Sequence, residues 1–191
     1  MLVSCLRKVG KFLKNHAWYK IYRITLWLVF ILYLCFSSYL LLFQRIATRV
    51  MNYFNGIYTN PYVYTSSESS RYIDNFLANS NLVPFRNTIR YITESDHFSI
   101  LFIFNNIVGN ILVFLPLGLL LPLLFPRHRK FILLLLTVTC FTILVEITQI
   151  TLQIGQFDVD DLILNVIGGM AGYWFAKLLM DNVKIKSQLF M

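Results

Sequence analysis

The sequence predicts an all-α, polytopic membrane protein with about four transmembrane helices. Of its 191 residues, 57% are hydrophobic, and the mean hydropathy is +0.62. The apolar residues form long runs instead of alternating with charges. A helix needs about 20 apolar residues to cross about 30 Å of hydrocarbon. Four stretches are near that length: 24–43, 101–124, 131–150 and 162–180. Little chain remains for a separate soluble enzyme domain.

The positive charge follows this membrane arrangement. The net charge is +8, and six basic residues precede the first apolar stretch: Arg7, Lys8, Lys11, Lys14, Lys20 and Arg23. Because cytoplasmic segments of membrane proteins are enriched in Lys and Arg, residues 1–23 are predicted to be a cytoplasmic basic segment. Four crossings then place the basic turn at 127–130 and the tail at 181–191 in the cytoplasm, so both termini are inside. Nucleic-acid binding is not expected, since topology and lipid headgroups account for the charge.

The first half of the chain is predicted to consist of one helix and an outer-face segment. The stretch 24–43 has no acidic or basic residue and reads as a lipid-facing helix. The segment 44–97 is polar and rich in tyrosine, and we expect it to lie on the outer leaflet. Within it, Asn81-Leu-Val-Pro84-Phe85 is typical of a capped turn, because Asn bonds nearby backbone amides and Pro84 disfavours helix at the residue before it.

The second apolar stretch combines asparagines with prolines. Asn106 and Asn110 are four residues apart and therefore lie on one helical face. Pro116, followed by Gly118, removes an intrahelical hydrogen bond, so a kinked second span is predicted, which the membrane tolerates only inside protein. Asparagines also join neighbouring helices in bundles, and that purely structural role stays open.

The remaining two stretches carry the most informative polar residues. A carboxylate in hydrocarbon costs about 2.5–3.5 kcal/mol on insertion scales, so a chain keeps it only with a partner, a cavity or a task. Glu146 and Gln149 share a helical face, and the following stretch has polar and small residues at steps of three and four, ending at Gly168 and Gly172. Capping at a helix start explains one of its three acids but not all. We therefore predict a functional cleft formed by Asn106, Asn110, Glu146, Gln149, Asp158, Asp160, Asp161 and Asn165. Gly168-x-x-x-Gly172 predicts a close approach between two helices.

Cysteines and histidines predict no disulfide framework and no metal site. Cys5, Cys35 and Cys140 are isolated, and the three histidines are far apart. The sequence therefore requires no cofactor, and no metal ligand is assigned.

Four ordered motifs give the chain a resemblance to a known family. They are Asn81-Leu-Val-Pro-Phe85, Asn106-x-x-x-Asn110-Ile-Leu-Val-Phe-Leu-Pro116-Leu-Gly118, Glu146-x-x-Gln149 and Asp158-x-Asp160-Asp161-x-x-x-Asn165-x-x-Gly168-Gly169. Together they resemble the VanZ-like family of bacterial membrane proteins, over about residues 81–177. The resemblance implies a membrane core at 98–180, a bacterial plasma membrane location and a contribution to resistance against the glycopeptide antibiotic teicoplanin.

This chain departs from the family pattern at one position. Many members have an Arg shortly before the Asp motif, whereas this chain has none between Glu146 and Asp158. We therefore expect an acidic cluster that lacks a fixed cation.

Several functions remain open at this stage. The cleft suits a non-enzymatic protein that binds a lipid-linked envelope precursor or a glycopeptide, with membrane lipid as its surrounding partner. A membrane-embedded enzyme is the alternative, with Glu146 as general base or with a divalent cation held by Asp158, Asp160 and Asp161. A small transporter subunit is a further alternative, although four spans without a repeat suit alternating access only if copies assemble into an oligomer. In the plainest alternative, the polar groups only hold helices together.

Overall fold

Four membrane-length helices make up most of the molecule. The computed structural model describes the backbone of residues 2–62, 76–77 and 79–189, and the side chains of residues 18–62, 76–77 and 79–181. Part of the predicted outer-face segment, residues 63–75 and 78, therefore lies outside the described residues. Within the described chain, four helices are long and apolar enough to cross a membrane, and we call them the first to fourth spans: Trp18–Phe54, Ile100–Leu124, Phe131–Thr151 and Val159–Asp181. The all-α, four-span prediction is confirmed.

The first span is longer than the sequence predicted. Helix α1 (Leu2–Ser38) continues through a π-helical turn (Tyr39–Phe43) into helix α2 (Gln44–Phe54). Residues 44–54, which we expected in the outer-face segment, thus extend the first helix. The physical reason is that they contain neither Gly nor Pro, and the helix ends only beside Gly56, whose φ is +77°. Among its described side chains only Phe30 and Ser37 are buried, so most of its surface is free to face lipid.

The second span departs from α-helical geometry before its prolines. Helix α4 (Ile100–Phe104) passes through a π-helical turn (Asn105–Gly109) into helix α5 (Asn110–Leu124), which contains Pro116 and Pro122. The irregular turn therefore lies N-terminal to the site where Pro116 would break the helix. It coincides with the asparagine motif, and π-helical turns of this kind are frequent at functional sites. The kink at Pro116 itself stays a prediction.

The second and fourth spans form the most extensive helix pair. The fourth span belongs to helix α7 (Val159–Leu189), which follows helix α6 (Phe131–Thr151). A Cβ added at Gly168 would meet the backbone of Ile111, and one added at Gly172 would meet the backbone of Leu115. A Cβ at Gly118 would likewise meet Gly169. The predicted close approach is confirmed, and its partner is the proline-containing helix.

One end of the bundle is closed by short elements that bring distant segments together. Strand β1 (Ser80–Asn81) pairs in parallel with strand β2 (Phe157–Asp158), so that Asn81 faces Asp158. Helix α3 (Arg86–Thr93) follows β1, and 3₁₀ turns occur at Ser95–His97 and Pro126–Arg129. The basic turn after the second span lies at the other end of the bundle. Which end faces the cytoplasm remains a prediction from the charge distribution.

Candidate functional site

Asp158 connects the start of the fourth span to the segment before helix α3. Its Oδ1 accepts a hydrogen bond from Asn81 Nδ2 at 2.8 Å, and its Oδ2 accepts one from Asn87 Nδ2 at 2.7 Å. Oδ1 also accepts from the backbone N–H of Asp160 at 2.8 Å, a local cap of the helix start. Both carboxylate oxygens of Asp158 are thus occupied by protein donors.

Asp160 caps a different helix. Its Oδ1 accepts from the backbone N–H of Phe85 at 2.5 Å, and its Oδ2 accepts from the backbone N–H of Thr88 at 2.7 Å. These donors lie at the start of helix α3, where backbone N–H groups have no intrahelical partner and favour a negative charge. Asp160 is 2% exposed, so it is as buried as Glu146.

The Asn81–Phe85 string forms the predicted turn. Asn81 Oδ1 accepts from the backbone N–H of Val83, and Arg86 N–H bonds to the Val83 carbonyl across Pro84 and Phe85. Phe85 has φ +64°, a conformation that a non-glycine residue adopts at a cost of about 1–2 kcal/mol. The contact with Asp160 holds it there. The prediction of a structural turn is confirmed, and its role is to attach this segment to the Asp158-x-Asp160 motif.

The third acid of the motif points to yet another partner. Asp161 Oδ1 accepts from Asn110 Nδ2 at 2.5 Å, which joins the fourth span to the second. Asn110 also donates to the Asn106 carbonyl, and Asn106 donates to the Phe102 carbonyl in its own helix. Asn110 therefore joins helices, whereas the one described hydrogen bond of the Asn106 side chain lies within its own helix.

The three aspartates consequently do not converge. Asp158, Asp160 and Asp161 each bond to a separate group, and no cluster of three or more His, Cys, Asp or Glu in the described part of the chain is arranged to hold a metal ion. The hypothesis that these three acids share a divalent cation is wrong for this arrangement. Two of them are occupied in attaching the residue 81–88 segment.

Glu146 and Gln149 lie together on the buried face of the third span, as predicted. Glu146 Oε2 accepts from the backbone N–H of Asp158 at 3.2 Å. Gln149 Nε2 donates to the carbonyl of Leu41 at 3.0 Å, inside the π-helical turn of the first span. Glu146 thus contacts strand β2, directly before the fourth span, and Gln149 contacts the first span.

Arg45 brings a cation to the site from the first helix, although it pairs with no carboxylate in the described chain. Its Nη1 donates to Gln149 Oε1 and to the Ile154 carbonyl, both at 3.3 Å. Gly155 leaves room for this contact, because a Cβ there would come within 2.6 Å of Arg45 Nη1.

Sequence reasoning missed Arg45 because it lies about a hundred positions before its partners. The available signal was a pair of arginines four residues apart, Arg45 and Arg49, directly after a stretch without charge. Arg49 extends the contact, with Nη1 donating to the Leu152 carbonyl at 2.6 Å. The turn between the third and fourth spans is therefore attached to the first helix by both arginines.

Two buried polar atoms near the cluster have no hydrogen-bond partner. Asn165 Oδ1 and Thr142 Oγ1 lie on side chains that are 1% and 0% exposed, and neither atom is bonded within the described chain. Asn165 lies one helical turn after Asp161 on the same face. Unpaired buried acceptors cost about 1–3 kcal/mol, so this part of the bundle is suited to a polar guest such as water or a ligand group.

An apolar cavity adjoins the polar cluster. Its volume is about 540 Å³, and Arg49 is its single charged lining residue. The first span contributes most of the wall, and Leu152 and Ile154 of the turn complete it. Because Ile154 also accepts from Arg45, the cavity and the polar cluster share a wall. Sequence patterns gave no sign of it, since it forms between a helix and a distant turn.

These features define a class of protein: a multi-pass helical membrane protein with a buried cluster of carboxylates, amides and one arginine near one end of its bundle. The sequence model of the VanZ/LLP1 family matches residues 21–180, which is most of the chain. The chain belongs to this family. The match begins well before Asn81, so it includes the first span and the segment for which the motifs gave no counterpart. No curated protein and no solved structure matches the chain.

Proposed function

We propose that this chain is a non-enzymatic envelope protein of the bacterial plasma membrane that binds a lipid-linked or glycopeptide-like molecule at the outer leaflet. In this role it contributes to teicoplanin resistance. The observation that carries the proposal is the shared wall between an apolar cavity and a charged polar cluster. An amphiphile matches these two neighbouring regions, because it has a hydrocarbon part for the cavity and a polar headgroup for the cluster.

In this proposal, different residues bind different parts of the ligand. Val50 and Leu152 line the apolar cavity and suit a lipid chain, while Arg49 at its edge suits a phosphate or carboxylate. Beyond the wall, Arg45 and Glu146 offer a cation and a carboxylate to hydroxyl and amide groups. Asp158 and Asp160 have a supporting role, because their oxygens already hold the residue 81–88 segment.

Binding of the polar headgroup is tested by Glu146→Gln in a bacterial host that expresses the chain. Teicoplanin tolerance and membrane abundance are measured together. The isosteric amide should abolish tolerance while the protein still accumulates, because it removes the charge but preserves size and hydrogen bonding. Glu94→Gln is the matched control, since Glu94 is exposed and, among the residues that the structure describes, forms an ion pair with Arg90 alone. Full tolerance with Glu146→Gln would show that this residue only holds the bundle together.

Binding of the ligand's hydrocarbon part is tested by Val50→Trp, which fills the apolar cavity. Val29→Trp is its matched control in the same helix, because Val50 and Val29 are 47% and 46% exposed but Val29 does not line the cavity. Val50→Trp should lower tolerance to the level of cells without the chain, and Val29→Trp should keep the parent level. Equal tolerance of both variants would contradict binding in this cavity.

A further inference from the structure

A second cavity lies at the opposite end of the bundle, and the proposed function does not use it. Its volume is about 580 Å³, and it is lined by residues of the first, second and fourth spans and of the turn after the second span. Three cations, Arg23, Arg129 and Lys177, face one carboxylate, Asp181, so the lining is positive. Arg23 and Asp181, the first and last of these four residues in the sequence, are more than one hundred positions apart. The cavity therefore exists only in the folded bundle.

Hydrogen bonds to the end of the second span fix the walls of this cavity. Arg23 Nη1 donates to the Leu124 carbonyl at 3.1 Å, and Arg129 Nε donates to the Pro122 carbonyl at 3.4 Å. The Tyr173 hydroxyl donates to the Arg129 carbonyl at 2.8 Å and holds the turn against the fourth span. These hydrogen bonds therefore hold the side chains that form the walls of the cavity in defined positions.

The two guanidinium groups retain donors for a ligand. A guanidinium has five N–H donors, and among the described residues each of these two uses one of them. Lys177 keeps its ammonium group over the Trp174 ring at 4.8 Å and forms no ion pair in the described chain. Asp181 is exposed, so water weakens its repulsion of an anion.

The remaining lining indicates that the anion belongs to a lipid. Tyr19 and Tyr22 are 62% and 52% exposed, as expected for rings at the membrane–water boundary. Leu123, Leu179 and Met180 add an aliphatic wall beside the charges. A dissolved anion would gain nothing from these apolar groups, whereas acyl chains would.

We propose that this cavity binds the phosphodiester headgroup of an anionic phospholipid, with the acyl chains lying along the first and fourth spans. Arginine pairs with phosphate through two parallel hydrogen bonds, and basic pockets between transmembrane helices bind such headgroups. The bound lipid would join the otherwise loosely packed first span to the rest of the bundle at this end.

The experiment uses the full chain in neutral detergent, with phosphatidylglycerol or phosphatidylcholine of identical acyl chains added at equal concentrations. Native mass spectrometry measures lipid retention, and thermal unfolding measures stabilisation. The parent chain should retain phosphatidylglycerol and be stabilised by it more than by phosphatidylcholine, since a ligand of the folded state raises apparent stability. Equal retention of both lipids would overturn the proposal.

Charge variants test whether phosphatidylglycerol is retained in this cavity. Arg23→Gln with Arg129→Gln should weaken retention of phosphatidylglycerol by about tenfold or more. Arg127→Gln with Lys130→Gln removes the same charge from exposed positions outside the cavity and should leave retention at the parent level. An equal loss in both pairs would show a general surface-charge effect and overturn the site. If the glutamine pair does not fold, Arg23→Lys with Arg129→Lys keeps the charge, and it must still prefer phosphatidylglycerol for the proposal to stand.

Soluble anions separate a lipid from free phosphate. Inorganic phosphate and the deacylated headgroup glycerophosphoglycerol should stabilise the parent chain much less than phosphatidylglycerol does at the same concentration. Equal stabilisation by either soluble anion would show that the acyl chains contribute nothing and would overturn the assignment to lipid.

Discussion

Single carboxylates organise the candidate site by holding backbone far away in the sequence. Asp160 accepts two backbone hydrogen bonds at the start of helix α3, from residues 75 and 72 positions earlier. Such a cap acts through its charge and its two acceptors together. The fold thus explains Asp160, which the sequence offered as one of three possible ligands of a divalent cation.

Asp160→Ala should lower the free energy of unfolding by about 1–3 kcal/mol, because the N–H groups of Phe85 and Thr88 lose their acceptor. Thermal unfolding of the purified chain in detergent measures the change. Asp96→Ala is the control, since Asp96 is exposed in the 3₁₀ turn that follows α3. Parent-like stability of Asp160→Ala would contradict the capping role.

Tyr91 reports on the charge of the cluster from outside the membrane-spanning segments. Burial, followed by the carboxylates of Asp158, Asp161 and Asp160, raises its pKa above 10, while Arg90 opposes the shift. Each of these carboxylates disfavours the negative phenolate. The raised pKa of Tyr91 therefore reflects its burial first and the charge of the three aspartates second.

The raised pKa gives a pH dependence with a definite sign. The folded chain holds the Tyr91 proton more tightly than the unfolded chain does, so the linked stability is complete below the unfolded pKa near 10. It is lost as pH rises through the higher folded pKa. Tyr91→Phe should therefore lose less stability than the parent between about pH 9 and 11, measured by denaturant unfolding. Tyr58→Phe, at a 79% exposed residue, should behave like the parent, and an identical loss in Tyr91→Phe and parent would contradict the shift.

At the scale of helices, the small residues of the fourth span determine how the bundle packs. Gly168 and Gly172 bring its backbone against that of the second span, and this contact positions Asn110 beside Asp161. Without the close approach, the hydrogen bond between the two spans could not form.

Gly168→Ala should destabilise the chain by about 1–3 kcal/mol, since its Cβ would meet the Ile111 backbone, which cannot move aside easily. Gly109→Ala is a matched control, because nothing lies within 4 Å of a Cβ placed there. It should be neutral or stabilising by up to about 1 kcal/mol, because alanine favours helix over glycine. The measurement is the free energy of unfolding in detergent, and equal effects of the two variants would refute the packing argument.

The sequence predicted the elements well where local pattern decides them. Apolar length located the spans, and the spacing of Gly168 and Gly172 predicted a close helix pair, because both depend on residues within one helix. The extension of the first helix to Phe54 was not predicted. Its residues are polar and were therefore assigned to the outer-face segment. They are helical because no Gly or Pro interrupts them, and Arg45 and Arg49 find acceptors on another segment.

At the scale of the whole molecule, the three-aspartate motif and the basic turn after the second span lie at opposite ends of the bundle. Asn81 and Asp158 meet at one end, and Arg23 and Arg129 reach the second span at the other. With four crossings, both termini and the turn after the second span lie on one side of the membrane, and the turn after the third span lies on the other. The positive-inside bias then predicts that the acidic end faces outward.

Gln156→Cys, in a background in which Cys5, Cys35 and Cys140 are replaced by Ala, tests this orientation. A membrane-impermeant thiol reagent should label it in intact cells, because Gln156 is exposed at the acidic end. Arg127→Cys in the same background should be labelled only after lysis. The reverse pattern would reject the orientation and with it the outer-leaflet binding proposal.

Helical spacing predicted which site residues share a face of one span, but not how the spans connect. Glu146 and Gln149 lie on the buried face of the third span as the spacing indicated, since helical periodicity fixes which residues of one helix share a face. The contacts of Asn81 with Asp158 and of Arg45 with Gln149 join segments 77 and 104 residues apart. Such pairings depend on how helices are arranged in space, which no local pattern in one sequence encodes.

The length of the first span has a mechanical consequence. The part of this helix from Trp18 to Phe54 alone contains 37 residues, and at about 1.5 Å per residue that part is roughly 55 Å long. A bilayer is only about 40–45 Å thick with its headgroups, so this helix must tilt or project beyond the surface. It is held near one end by Arg23 and near the other by Arg45 and Arg49. The helix is therefore fixed to the rest of the bundle near both of its ends. A change in bilayer thickness would strain both sets of arginine hydrogen bonds at once.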